Sequence, residues 1–312
     1  MIPAIETFEL TKRYGAHQAL HGLDLDVTPG AVFGLIGPNG AGKTTTLRIL
    51  LDIIRPTSGT ARILGTTPGE GGPALRRRIG YVPGELRLEG RLRGRQLLRH
   101  LAEISGPVPP GTIDRLADRL GVNLDRPVRA LSKGNKQKLG LIQAFMHHPE
   151  LLVLDEPTSG LDPLVQRTFL EMVREARDAG QTVLLSSHVL SEIQQTADEV
   201  AVLSGGRIVA QGRVDSLRLS SVRHVRAGVD GTSLALLRGD LEKLPGLSDI
   251  AVTGDEGGGI ARLGAKVEGD IDPFVKLLAR HRVVDLTVEE PDLEESVLQL
   301  YGSGSVEEAT HV

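Results

Sequence analysis

The chain has 312 residues, of which 40% are hydrophobic and 24% are charged, enough apolar material for one large domain or two. It contains no cysteine, which excludes disulfides and thiolate metal sites. The net charge of −4 argues against a surface that binds nucleic acid throughout, and no apolar run approaches the roughly 18–20 residues that span a bilayer.

The first two-thirds of the chain alternates short apolar runs with longer amphipathic stretches, which predicts an α/β domain over residues 1–217. The segments IETFELTKRYG and LHGLDLDVTPG predict antiparallel strands at the edge of the sheet. Buried strands are predicted at 31–37, 151–155, 182–187 and 199–204, and helices at 44–52, 132–146, 163–178 and 189–196. Residues 86–130 are Arg-rich and mostly helical, and with the helix that follows they predict a helical subdomain of about 86–146.

The pattern of apolar and polar residues changes after about residue 218. The remaining apolar segments follow the order βαββαβ, which fits a small ferredoxin-like α+β domain over residues 218–302. Residues 303–312 are predicted to form a flexible tail.

The segment GPNGAGKTT lies between a predicted strand and a predicted helix and matches the pattern G-x-x-x-x-G-K-[ST]. Such a loop turns its backbone N–H groups towards phosphate oxygens. We expect Lys43 to reach the β- and γ-phosphates and the Thr44 hydroxyl to hold Mg²⁺. The predicted nucleotide-binding residues of this loop are Gly37, Pro38, Asn39, Gly40, Ala41, Gly42, Lys43, Thr44 and Thr45.

Two further strands end in polar residues suited to catalysis. The strand LLVLD ends at Asp155, placed to support Mg²⁺, and Glu156 follows as a general base for the attacking water. Taken alone, such an acidic pair is more often a solvated strand end or a helix cap. His188 follows the strand TVLLSS, where it could contact the γ-phosphate or orient Glu156, although a lone histidine is usually structural.

The stretch LSKGNKQKL predicts a second place for an anion. Ser132 is suited to cap a helix, and Gly134 leaves backbone N–H groups bare in its first turn. The sequence therefore contains two helix starts that favour anions, about ninety residues apart.

Together these motifs resemble the ATP-binding cassette (ABC) ATPases over roughly residues 4–215. The resemblance matches Asp155 to the Walker B acid, Glu156 to the catalytic glutamate, residues 159–162 to the D-loop and His188 to the switch histidine. It matches Tyr14 to an aromatic residue that stacks on adenine, the alternative being a packed edge-strand tyrosine. LSKGN is similar to the family signature, usually LSGGQ.

The resemblance implies a function and partners. ATP and Mg²⁺ are the implied cofactors, and the implied partners are a second copy of the chain, packed head to tail, and an integral membrane permease; no nucleic acid is expected. Ser132 and Gly134 would contact the phosphates of ATP bound to the other chain. The implied location is peripheral, on the cytoplasmic face of the cell membrane.

Three positions depart from the family pattern. Lys133 and Asn135 replace the usual glycine and glutamine of the signature. Gly84 stands where the family places a glutamine that senses Mg²⁺ and water, and the adjacent Glu85 is a possible substitute. We expect altered coupling or slower turnover with ATP binding retained.

The region after residue 218 resembles the extension on ATPases of bacterial drug- and antibiotic-resistance exporters, most visibly in EEPDLEESVLQLYG. The implied function is to power a separate permease that exports a drug-like or antibiotic molecule. A dimer-stabilising appendage, a ligand-sensing regulatory ATPase and a soluble switch acting on ribosomes or nucleic acid remain alternatives. The arginines of 87–99 form a solvated helix face, a docking surface for the membrane subunit or a nucleic-acid contact, and the lack of stacking aromatics in this stretch counts against single-strand binding.

Overall fold

The computed structural model describes residues 2–88, 90–217, 222–230, 234–254 and 259–289. The chain divides into two compact units between Val214 and Asp215, close to the predicted domain boundary at 217. The segment compared with the drug exporters (289–302) lies, apart from Glu289, outside the described residues, as does the predicted tail.

A six-stranded sheet forms the centre of the first unit, in the order β5-β6-β7-β3-β8-β9. Its strands are parallel except β9, which runs antiparallel to β8. The bounds are β3 Val32–Ile36, β5 Ile79–Val82, β6 Leu151–Asp155, β7 Thr182–Ser187, β8 Glu199–Ser204 and β9 Arg207–Arg213. All four predicted buried strands are confirmed, and β3, β6 and β7 are buried along their whole length, as expected of strands covered on both faces.

The helices of this unit are α1 Lys43–Leu50, α2 Pro68–Arg77, α3 Gly94–Ser105, α4 Thr112–Leu120, α5 Lys133–Phe145, α6 Pro163–Asp178 and α7 Leu190–Thr196, and a short helix α8 follows at Val214–Leu217. The four helices predicted with bounds (α1, α5, α6 and α7) begin and end within one or two residues of the predicted positions, and α2, α3, α4 and α8 are additional to them. The predicted helical subdomain contains α3, α4 and α5. Among the described residues, no helix is long and apolar enough to cross a membrane.

The early antiparallel strands are present, but they do not form the edge of the parallel sheet. They make a separate three-stranded sheet in the order β2-β1-β4, with β1 Ile5–Tyr14, β2 His17–Val27 and β4 Ser58–Ile63. Because β1 pairs with β2 on one side and β4 on the other, it has no free edge to offer the parallel sheet. The antiparallel edge is β9 instead, and one hydrophobic core packs between the two sheets.

The second unit has the predicted βαββαβ order. Its elements are β10 Val222–Asp230, α9 Leu234–Leu241, β11 Leu247–Thr253, β12 Ile260–Glu268, α10 Asp272–Leu278 and β13 Arg282–Glu289. The strands form an antiparallel sheet in the order β11-β12-β10-β13, the arrangement of a ferredoxin-like domain. Val225, Val229 and Leu237 belong to its own core.

Candidate nucleotide site

The loop between β3 and α1 is shaped by its glycines. Gly42 precedes the first residue of α1 with φ 109°, in the left-handed region that favours glycine. A Cβ atom at Gly37 would lie 2.6 Å from the carbonyl oxygen of Leu203 on β8, so the loop passes too close to the sheet for a side chain. The chain can therefore turn tightly from the strand into the helix, which places the helix start over the carboxyl ends of the strands.

Lys43 is held inside this loop. Its side chain is only 6% exposed, and its ammonium group donates to the Gly37 carbonyl at 2.5 Å. The same Nζ atom lies 3.4 Å from Oε1 of Glu156. The first residue of α1 thus points a buried positive charge into the turn, where anionic oxygens would meet it.

Asp155 ends β6 and is fully buried. One carboxylate oxygen accepts the Thr44 hydroxyl at 2.9 Å, and the other accepts the Ser186 hydroxyl at 2.5 Å. Ser186 lies opposite Asp155 on the neighbouring strand β7. The sheet therefore holds this carboxylate beside the start of α1, as the sequence predicts for Thr44 and Asp155.

Glu156 turns away from Asp155 because its backbone leaves the strand conformation. Its φ is 46°, an unusual left-handed value for a residue with a side chain, and its N–H donates to the Ser186 carbonyl at 3.1 Å. Its Oε2 lies 2.6 Å from Nδ1 of His188. The two carboxylates therefore face different groups: Asp155 faces Thr44, and Glu156 faces Lys43 and His188.

An open cavity of about 270 Å³ lies over the loop. It is lined by Tyr14, His17, Ala19, Pro38, Asn39, Gly40, Ala41, Gly42, Lys43, Thr44, Thr45 and Glu156. Tyr14 is 46% exposed at the end of β1, and the Lys12 ammonium lies 5.0 Å from the centre of its ring. The tyrosine therefore lies at the cavity rather than in a packed edge, as the stacking interpretation requires.

The second anion-binding helix start is at α5. Ser132 caps this helix by accepting the N–H of Asn135 at 3.3 Å. Of the residues the structure describes, neither Ser132 nor Gly134 lines the cavity over the phosphate loop. Instead, a Cβ atom at Gly134 would lie 2.7 Å from the carbonyl oxygen of Gly160, so the signature adjoins the D-loop of its own chain.

Gly84 lies against the metal-binding carboxylate predicted for this site. A Cβ atom there would lie 3.1 Å from Oδ2 of Asp155. Glu85, the possible substitute for the absent glutamine, is 77% exposed and pairs with Arg87 at 3.1 Å. Glu85 is therefore directed to solvent, and of these two residues it is Gly84 that lies beside Asp155.

Several residues that shape the site were not identified from the sequence. Ser186 holds Asp155, and His17 and Ala19 line the cavity beside Tyr14. Gln137, which is 3% exposed, donates to the Pro157 carbonyl at 3.0 Å and so links α5 to the segment after Glu156. Two polar residues, Ser186 and Ser187, stand between an apolar strand and His188, and they were the available signal for Ser186. Side-chain pairing across elements has no comparable signal.

Comparisons with known proteins agree with this geometry. Residues 20–159 match the family model described as ABC transporter. The chain is 32% identical to the bacitracin transport ATP-binding protein of Bacillus licheniformis, over 98% of this chain and 100% of that protein. It is 38% identical to the daunorubicin/doxorubicin resistance ATP-binding protein of Streptomyces peucetius, over 70% of this chain and 67% of that protein.

Solved structures show the same likeness. One described as the ATP-binding subunit of an ABC transporter is 32% identical, with a TM-score of 0.64 over 69% of this chain and 92% of that one. A nucleotide-free ATP-binding cassette shares the fold at 23% identity, with a TM-score of 0.59 over 68% of this chain and 92% of that chain. The chain therefore belongs to the ATP-binding proteins of ABC transporters. It is a transport-coupled ATPase subunit that acts with a separate membrane permease.

Proposed function

We propose that two copies of this chain bind and hydrolyse Mg²⁺-ATP between them and thereby drive a permease that exports a drug-like or antibiotic molecule. The observation that carries the proposal is the convergence of Lys43, Glu156 and His188 at the phosphate loop, with Asp155 and Thr44 beside them. A buried cation, a carboxylate–imidazole pair and a hydroxyl–carboxylate pair are the groups that phosphoryl transfer to water requires.

The Thr44 hydroxyl and the Asp155 carboxylate suit Mg²⁺, which prefers oxygen ligands. In the described part of the chain, no group of three acidic, histidine or cysteine residues could hold a metal by itself. This fits an ion held by one or two protein oxygens together with substrate phosphates. Bound there, Mg²⁺ would neutralise charge on the β- and γ-phosphates.

The residues of the chain have separate tasks in this proposal. Glu156 accepts a proton from the attacking water, and His188 holds the Glu156 carboxylate through the 2.6 Å contact. Lys43 stabilises the charge that spreads over the transferred phosphoryl group. Tyr14 stacks on the adenine, and the loop residues 37–45 hold the phosphates.

The second copy completes the site. Ser132 and the N–H groups at Gly134 lie away from the phosphate loop of their own chain, which supports their contact with ATP bound to the other chain. We therefore propose a head-to-tail homodimer that ATP closes and hydrolysis opens. In this proposal residues 1–217 form the ATPase domain, and residues 218–302 form an accessory domain that stabilises the pair.

The names of the relatives support the export proposal. The bacitracin transport and daunorubicin/doxorubicin resistance proteins concern antibiotics and cytotoxic drugs. We propose that this chain binds peripherally to its permease at the cytoplasmic face of the membrane. It should sediment with membranes that contain the permease and leave them when the permease is removed.

The test of the composite site is the variant Glu156→Gln. We expect it to keep its affinity for ATP and to accumulate as an ATP-bound dimer, because the base is lost while the binding groups remain. Size-exclusion chromatography with and without ATP measures this. Lys43→Ala should lose ATP binding in a nucleotide titration, and Glu171→Gln, at an exposed position on α6, serves as the control. A Glu156→Gln chain that binds ATP but remains monomeric would contradict the proposed dimer.

A further inference from the structure

Glu192 is a buried acidic residue on α7 that the proposed chemistry does not use directly. Its side chain is only 6% exposed, although carboxylates are rarely buried without a specific partner. Its Oε2 atom accepts the hydroxyls of Thr158 and Ser187, each at 3.0 Å. Both donors are themselves buried, so all three side chains are held away from water.

The two donors belong to the two segments that carry Glu156 and His188. Thr158 lies two residues after Glu156, and Ser187 directly precedes His188. The Ser187 hydroxyl also accepts the N–H of Val189 at 2.9 Å, so bonded residues flank His188 on both sides. One carboxylate oxygen of Glu192 therefore links the segment that follows Glu156 to the strand end that precedes His188.

We propose that Glu192 is a positioning residue that sets the contact between Glu156 and His188. The inference rests on the proposed function, in which Glu156 deprotonates the attacking water and His188 holds the Glu156 carboxylate. Glu192 is set back from the cavity that Lys43 and Glu156 line. It acts through Thr158 and Ser187, by fixing the distance between the segment that carries Glu156 and the segment that carries His188.

The energetics favour a positioning role over simple packing. Burial raises the pKa of Glu192, and the hydrogen bonds from Thr158 and Ser187 oppose that shift. An apolar residue would fill the space without the cost of desolvating a carboxyl group. The neighbouring Ile193 already packs α7 against the sheet, where its Cγ2 would lie 2.6 Å from a Cβ atom at Gly34. What Glu192 adds is an acceptor that two segments can share.

Steady-state ATP hydrolysis by the full chain tests the proposal. Glu192→Ala should lower kcat roughly ten- to hundredfold, because small misplacements of reacting groups carry losses of this size. KM for ATP should stay within about twofold, since Tyr14 and the phosphate loop are untouched. Glu192→Gln keeps a carbonyl oxygen that both hydroxyls can reach, and it should restore most of kcat.

Single-donor variants guard against a Glu192→Ala chain that fails to fold. Thr158→Val and Ser187→Ala each remove one of the two hydrogen bonds, and each should lower kcat without a matching change in KM. Thr196→Val is the matched control. Thr196 is buried on the same helix and donates to the backbone carbonyl of Glu192 at 2.7 Å, so this variant removes a bond near the carboxylate without altering it.

The nuclear magnetic resonance signal of the His188 ring provides a readout that does not depend on turnover. It should shift in Glu192→Ala and Ser187→Ala and stay unchanged in Thr196→Val. Folded Glu192→Ala, Thr158→Val and Ser187→Ala chains with wild-type kcat and an unshifted His188 signal would overturn the positioning role and leave the proposed function intact. If the wild-type chain does not hydrolyse ATP, the proposed function fails, and the ring signal still decides whether Glu192 positions His188.

Discussion

Gly84 is a position at which this site departs from the pattern of the ABC ATPases. That pattern has a glutamine here, and Glu85 is the adjacent residue that the sequence offers in its place. In the structure Glu85 pairs with Arg87, while Gly84 brings its backbone against Asp155. Asp155 is fixed by Thr44 and Ser186, so it cannot move aside easily.

Gly84→Ala should therefore slow turnover. The added Cβ atom would lie 3.1 Å from Oδ2 of Asp155, tighter than ordinary contact, and crowding of this kind commonly costs about 1–3 kcal/mol. We expect the Mg²⁺ concentration for half-maximal ATP hydrolysis to rise. Gly239→Ala, on α9 with open space around it, is the control and should leave it unchanged. An unaltered Mg²⁺ requirement in Gly84→Ala would show that Asp155 tolerates the contact.

Ser186 is the second residue that deserves substitution, because it supports both members of the acidic pair. Its hydroxyl donates to Asp155 at 2.5 Å and accepts the N–H of Glu156 at 3.2 Å. Ser186→Ala should destabilise the fold by about 1–3 kcal/mol, the usual effect of leaving a buried polar group unsatisfied. It should also lower kcat, because Asp155 and Glu156 both lose a contact.

Thr182→Val separates these two effects. Thr182 lies at the other end of the same strand and accepts the N–H of Gly30 at 2.9 Å. Loss of this hydrogen bond in Thr182→Val should lower the midpoint of urea unfolding about as much as Ser186→Ala does, while kcat stays at the wild-type value. Equal kcat values in both variants would mean that Ser186 matters for stability alone.

At the scale of elements, α5 connects the signature to the interior of the helical subdomain. It begins after Ser132, contacts the segment after Glu156 through Gln137, and ends at Phe145. His147 follows and is 8% exposed, and among the described residues neither of its ring nitrogens has a hydrogen-bond partner in good geometry. Burial lowers the pKa of His147, and the nearby backbones of Ile79 and Gln143 oppose the shift only in part.

This burial predicts a pH-dependent stability. The folded chain favours neutral His147, whereas the unfolded chain binds a proton at the ordinary histidine pKa of about 6.5. His147 therefore leaves the free energy of unfolding unaffected well above pH 6.5. Below that value it lowers the free energy of unfolding as the pH drops, by at most about 1.4 kcal/mol per pH unit. Urea unfolding at pH 8 and pH 5.5 measures the difference.

His147→Gln should reduce that difference, because the buried side chain no longer titrates. His100→Gln, at an exposed position on α3, is the control and should behave like the wild type. If His147→Gln loses as much stability on acidification as the wild type, other groups cause the effect.

At the scale of the whole molecule, each unit has a hydrophobic core of its own among the residues that the structure describes. One packs the two sheets of the first unit, and the other lies between the sheet and the helices of the second. Among the described residues the two clusters share no member. Each unit is therefore expected to fold by itself, since a domain is defined by its own core.

A chain ended at Leu217 tests this expectation. It should unfold cooperatively and bind ATP with the affinity of the full chain, because the residues around the phosphate loop all precede that point. Calorimetry of ATP binding and thermal unfolding measures both properties. A weaker ATP-dependent dimer in the shortened chain would support a dimer-stabilising role for the second unit. Loss of ATP binding would contradict the division at this point.

The sequence by itself determined most of the local elements and predicted the candidate residues of the site. Strands and helices followed from the period of the apolar residues. Short continuous motifs indicated the phosphate loop, Asp155, Glu156 and His188. Such signals survive in a sequence because each depends on residues that are close neighbours along it.

Only the tertiary structure decided which segments meet. The separate β2-β1-β4 sheet, the contact of Gly84 with Asp155 and the hydrogen bond from Thr158 to Glu192 all join residues far apart in the chain. Strand partners and buried side-chain contacts are set by packing over the whole domain, and local sequence patterns do not specify them.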